Sequence, residues 1–277
     1  MSSIGLLKIV DPVLYYGKFI EGGVLRDGRK VDAFKTFTFK RGVTGGVSVG
    51  SAVVRQGGVS VVCSLYASLS PLSTQTPLSI SFEGDDNIEQ SVLAAVKSLL
   101  GDLVQREVFF DRESLLSSDS RLTWILDAKF KVLHEDGDLS SACVGALVAA
   151  LTDVTLPTVL LSHAEDDDAP IEPANIRIQA DETSLKPLKT TSLPVASTFM
   201  LYRGESNQHL LCDPPADVRM LCDAQFTVVI GSSPLQDSAN PQILLMRTSG
   251  ETTGELLDQM VLFATQRYHK VVQALKK

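Results

Sequence analysis

Cysteine, histidine and tryptophan are scarce in this 277-residue sequence, with four, four and one copies. Cys63, Cys143, Cys212 and Cys222 form no CxxC pair and sit in apolar stretches. This argues against a zinc ribbon or a disulfide framework and predicts buried free thiols in a reducing compartment. His134, His163, His209 and His269 are scattered, none sharing a helix face with a second metal-type ligand, so neither a metal site nor any other cofactor is expected. No run approaches the roughly 20 apolar residues of a membrane span, and the amino terminus lacks the basic-then-apolar pattern of a signal peptide. The expectation is an intracellular protein without a membrane partner. An excess of positive charge is missing too: 25 Lys and Arg against 33 Asp and Glu give a net charge of −8. Phosphate neutralisation draws on concentrated Lys and Arg, so a stand-alone nucleic-acid binder is disfavoured, and any RNA contact must come from a local patch that partner subunits extend.

What the chain does have is apolar content, 44% of its residues, enough for one large domain or two packed halves. Residues 122–161 organise the rest. Their first part alternates and is rich in β-branched and aromatic residues, which predicts a strand. Glu135, Asp136 and Gly137 supply a turn, Asp138 is the N-cap, and residues 139–151 are small or apolar almost all round, which predicts a helix buried on most of its surface. Residues 156–161 predict a further strand, near an edge because of Pro157. Strand, turn, buried helix, strand is an α/β core.

Asp11 and Pro12 open an amphipathic docking helix that stops at Gly22 and Gly23. Three alternating runs follow at 34–39, 47–54 and 59–67, spaced for an antiparallel meander. Residues 77–82 predict a strand and 87–103 a one-sided amphipathic helix. Residues 162–194 carry the acidic run Glu165–Asp168 and several prolines, which predicts a long connection with one short strand at 176–179 and a solvated loop at the acidic run, a regulatory or partner-binding role being the alternative. The grammar then recurs: strands near 195–202, 210–212, 224–230 and 243–247, then a helix over 255–275. The predicted organisation is a docking helix (1–24), a first half (25–163), an acidic, proline-rich connection (164–193) and a second half (194–277).

The stretch LRDGRKVDAFKTFTFKRG, followed by GSAVVRQGGVSVVCSLYA, resembles the start of the RNase PH family, and DPVLYYGKFIEGG resembles the amino-terminal helix of the RNase PH-like ring subunits of the eukaryotic RNA exosome. The resemblance implies an α/β (α+β) fold of two sheet-plus-helix halves of the ribosomal protein S5 domain 2-like type. It also implies neighbours: other ring subunits, cap subunits, and RNA passing through the assembled channel, in nucleus, nucleolus and cytoplasm. Active members cleave RNA from the 3′ end with phosphate as nucleophile, which calls for an anion clamp at the start of the core helix. The family's phosphate-binding arginine falls on Leu139, in a turn that carries Glu135, Asp136 and Asp138, while Ser140 and Ser141 supply donors but no charge. Of a pair of aspartates in the active family, the first falls on Asp213 and the second on Arg219, which reverses the local charge. The implied site is degenerate, and the implied function is a non-catalytic ring subunit.

Asp213 itself, before two prolines, reads as a solvated strand-end carboxylate. Arg106, Arg112 and Arg121 lie where ring subunits of this family present basic groups to RNA; solvent-exposed charge is the competing reading. Gly46, Ser48 and Gly50 match GxSxG, but alternation continues past Ser48 where a nucleophile elbow needs a helix. Two rival functions stay open: an active phosphorolytic 3′–5′ exoribonuclease whose site is shared with a neighbour, and a free-standing RNA-binding module.

Overall fold

The computed structural model describes residues 3–71, 76–84, 88–117, 121–162, 177–204, 207–232 and 241–276. Two helices come first, α1 (Ser3–Val10) and α2 (Pro12–Glu21). Only the second was expected. Asp11 separates them: its carboxylate accepts from Leu14 N at 2.9 Å and caps α2, while its own N–H donates to Leu7 O at the end of α1.

The meander forms as read. Strands β1 (Phe37–Arg41), β2 (Gly50–Gln56) and β3 (Val59–Pro71) pair antiparallel, and β3 continues onto β5 (Leu122–His134). Strand β4 (Leu78–Glu83) adds parallel to β5, and helix α3 (Gln90–Gln105) crosses over between them, giving the order β1-β2-β3-β5-β4. The core helix α4 (Leu139–Leu151) follows, buried at every position except Ser140. It comes close to β1 at Gly145, where a Cβ would stand 2.7 Å from the Phe37 ring. A side chain there would force the Phe37 ring to move.

Strand β6 (Thr155–Ser162) is an edge strand, as Pro157 predicts: it joins neither large sheet but pairs with β7 (Arg177–Pro187) in a two-stranded ribbon whose register shifts between Pro157 and Thr158. The connection therefore holds an eleven-residue strand in place of the short one predicted. The acidic run Glu165–Asp168 and His163 lie outside the described residues. The second sheet has the order β11-β10-β8-β9, from β8 (Val195–Arg203), β9 (Gln208–Cys212), β10 (Ala224–Gly231) and β11 (Gln242–Ser249). Helix α5 (Gly254–Leu275) packs on β8 and β10, and α4 is shared, touching β2 and β3 of one sheet and β8 of the other. One continuous apolar core results. The docking helix α2 seats Tyr16 and Ile20 against Met200, Tyr202, Leu211 and Val218 of the second half, and the Tyr16 hydroxyl donates to Asp217 at 2.8 Å.

Candidate functional site

The turn before α4 and the end of β9 meet, as an active site of two such parts requires. At the turn, Asp138 folds back on its own helix. Its carboxylate accepts from Ser140 N at 3.0 Å, from Ser141 N at 3.2 Å and from the Ser141 hydroxyl. The donors that would hold an anion at this helix N-terminus are taken by an internal one. Leu139 is 1% exposed and belongs to the apolar core, so no cation stands at that position. Cations do reach the turn from elsewhere, which sequence spacing does not disclose. Arg219 donates from Nη2 to Gly137 O at 2.9 Å and lies 3.8 Å from Glu135, and Lys35 Nζ donates to Asp136 O at 2.7 Å. Both are engaged with backbone carbonyls. Beside Ser140 opens a cavity of about 530 Å³ between α3, β10 and β11. Its lining is mainly hydroxyl and apolar, and its arginine, Arg247, is held by Asp102 at 2.6 Å and Ser98 at 2.9 Å.

Asp213 is not solvated: it is 0% exposed, a correction to the sequence reading. Its backbone takes the left-handed conformation, φ 48°, which aspartate tolerates better than most residues. Oδ2 accepts from Gln56 Nε2 at 2.8 Å and from Lys35 N at 3.3 Å, and Gln56 Oε1 in turn accepts from Arg267 Nη2 at 2.8 Å. Gln56 thus bridges an aspartate after β9 and an arginine on α5. Burial pushes the Asp213 carboxyl up, an effect the Arg267 charge opposes, and burial lowers Arg267. Arg29, from the RDGR turn, ties the same strand end by donating to Asp213 O at 3.0 Å and Cys212 O at 3.4 Å. Asp213 therefore joins both halves of the fold and presents no carboxylate to solvent.

The three arginines read as RNA-facing are spread over neighbouring elements. Arg106, exposed at the end of α3, donates to Leu244 O of β11 at 3.2 Å. Arg112, exposed, pairs with Glu107 at 2.6 Å, and Arg121 is half-buried just ahead of β5. Ser48 lies in the loop entering β2 and donates to Thr44 O at 2.9 Å, with strand rather than helix after it. Cys63, Cys143 and Cys212 are buried and all four cysteines are free; burial pushes the Cys212 and Cys222 thiols up to about 12 and raises the Cys63 and Cys143 thiols as well, which favours the protonated form.

No family model matches the chain. In sequence it is similar to exosome complex component Rrp42 of Methanopyrus kandleri, 22% identical over 269 residues that cover 93% of this chain and 92% of that protein. It is also similar to exosome complex component rrp43 of Schizosaccharomyces pombe, 24% identical over 244 residues, 82% of this chain and 83% of that protein. In structure it is similar to a chain of an archaeal exosome core, with a TM-score of 0.68 at 20% identity, covering 98% of this chain and 99% of that one. A chain of the Archaeoglobus fulgidus exosome with RNA bound to the active site gives 0.67 at 20% identity, covering 96% and 98%. Rice Rrp46 gives 0.55 at 15% identity, covering 91% and 99%. The fold is RNase PH-like, an α/β architecture of two sheet-plus-helix halves.

Proposed function

We propose that this chain, which belongs to the RNase PH-like exosome ring-subunit family, is a non-catalytic subunit that helps build the ring and line the RNA path, so that RNA processing and degradation proceed elsewhere in the complex. The observation that carries the non-catalytic reading is the α4 N-terminus. Its donors are spent on Asp138, and the clamp position is Leu139, inside the core. An active composite site shared with a neighbour would need Asp213 at the surface, and Asp213 is buried in a link between the halves.

Assembly is then the main role. Ile9, Val10 and Val13 of the amino-terminal helices are 71%, 77% and 58% exposed, apolar surface that suits a protein interface. The partners are other RNase PH-like ring subunits and cap subunits, with RNA met through the assembled channel by Arg106, Arg112 and Arg121. Within the ring, the resemblance of the amino-terminal segment DPVLYYGKFIEGG supports the place of exosome complex component eight, with component seven as the alternative. The complex works in nucleus, nucleolus and cytoplasm. Native mass spectrometry of the tagged protein purified from its source tests this reading. It should show the chain in one copy within a hetero-oligomer of RNase PH-like subunits, and a monodisperse monomer that ignores such subunits at micromolar concentration would refute it.

A further inference from the structure

Between the segment that leads into β1 and helix α5 lies a cavity of about 460 Å³, separate from the cleft beside Ser140. Its walls include Phe34, Lys35 and Phe37 on one side and Phe263, Arg267 and Lys270 on the other. The last three recur at helical spacing and so share one face of α5.

Arg267 is the unusual member. It is 5% exposed, its guanidinium lies 4.6 Å from the Phe34 ring centre, and Nη2 is bound to Gln56, yet Nη1 is buried without a hydrogen-bond partner among the described residues. A buried charged donor left unpaired is costly and calls for an acceptor. Lys270 stands exposed at the same cavity with no ion pair to any described residue. The cavity wall holds three cations, Lys35, Arg267 and Lys270, against one carboxylate, Asp32. Behind the wall the Asp213 and Asp138 carboxylates also act on Arg267, with the Arg29 charge opposing them, so the excess of positive charge lies at the wall itself.

We infer that this cavity receives a carboxylate side chain, flanked by an apolar or aromatic residue, from an extended segment of a partner protein. The carboxylate supplies the acceptor that Nη1 lacks and a countercharge for the Lys270 ammonium, and the phenylalanines accept the flanking side chain. A monoanion offsets part of the excess positive charge at the wall. An RNA strand fits less well, because it brings a charge with every nucleotide and is held by rows of accessible cations, whereas here Lys270 is the one exposed cation of the wall and Lys35 is committed to Asp136 O. The inference does not depend on ring membership.

The test titrates the full chain with a fluorescent acetyl-Ala-Phe-Glu-Phe-Ala-amide probe and with its Gln counterpart. The Glu probe should bind about tenfold tighter or more, as expected for a charge-assisted contact. Lys270→Glu, an exposed change that spares the fold, should weaken the Glu probe by a similar factor and leave the Gln probe nearly unaffected. Arg267→Gln disturbs a buried link, so it is read only if its melting curve stays cooperative. Equal binding of the two probes, no binding at millimolar concentration, insensitivity to Lys270→Glu, or displacement of the Glu probe by oligoadenylate at equal concentration would each overturn the inference, the last by making the cavity a nucleic-acid site.

Discussion

Replacing Asp213 by alanine tests the claim that this residue holds the fold together. The substitution leaves Gln56 Nε2 and the Lys35 N–H without their acceptor and removes the nearest countercharge from buried Arg267. Each buried donor left unsatisfied costs about 1–3 kcal/mol, so the two donors and the lost countercharge together cost about 3–5 kcal/mol. Alanine at φ 48° adds roughly 1 kcal/mol of backbone strain. In a chain somewhat above 250 residues each kcal/mol moves the melting temperature by about 2–4 °C, so the expected loss is on the order of 10 °C. Asp213→Asn keeps an acceptor and tolerates the same backbone, so it should lose clearly less. The pH dependence has a fixed sign. Burial raises the Asp213 carboxyl above its ordinary 3.8, so its contribution to stability is fullest below the unfolded value and is lost as pH rises through the folded one. The wild type should therefore lose stability relative to Asp213→Asn as pH rises above about 4. Calorimetric melting of the three proteins across pH reads both effects. An alanine variant melting within about 2 °C of wild type would refute the link, and a wild-type-minus-Asn difference flat with pH would refute the burial of the ionised group.

Two further outcomes follow from the turn and from the arginines. Asp138→Ala uncaps α4 and should lower stability by about 1–2 kcal/mol by urea titration; calorimetry should still detect no phosphate binding, since Leu139 adds no charge to the freed donors. Alanine at Arg106, Arg112 and Arg121 together, in the assembled complex, should weaken RNA binding about equally for unrelated sequences and flatten its salt dependence without disturbing assembly. Unchanged affinity across a salt titration would mark them as surface charge alone.

Local signals in the sequence reached the local structure. Asp138 is legible as a cap, and residues 139–151 as a buried helix, because both depend on neighbours within a few positions. The first helix, α1, escaped because its eight residues are too few for a helical period to show, include Gly5 and run directly into Asp11–Pro12. Strand β7 escaped because its sequence, RIQADETSLKP, is polar and draws its pairing from β6 across the connection. Asp213 was misread for a related reason: Gln56 and Lys35 lie 157 and 178 residues away, so nothing beside it announces burial. A signal did exist on α5. Arg267 falls on the stripe of Met260, Ala264, Tyr268 and Val271, and a charge on an apolar helix face asks for a buried partner.

The central claim, that this RNase PH-like chain does no phosphorolysis of its own, is tested most directly by incubating the pure protein with 3′-ended RNA and inorganic phosphate and measuring released nucleoside diphosphates. The account predicts none, and none from Leu139→Arg either, because Asp138 would still occupy the helix donors and Arg219 would still replace the second aspartate. Phosphate-dependent diphosphate release that Asp213→Ala abolishes in a still-folded protein would contradict it.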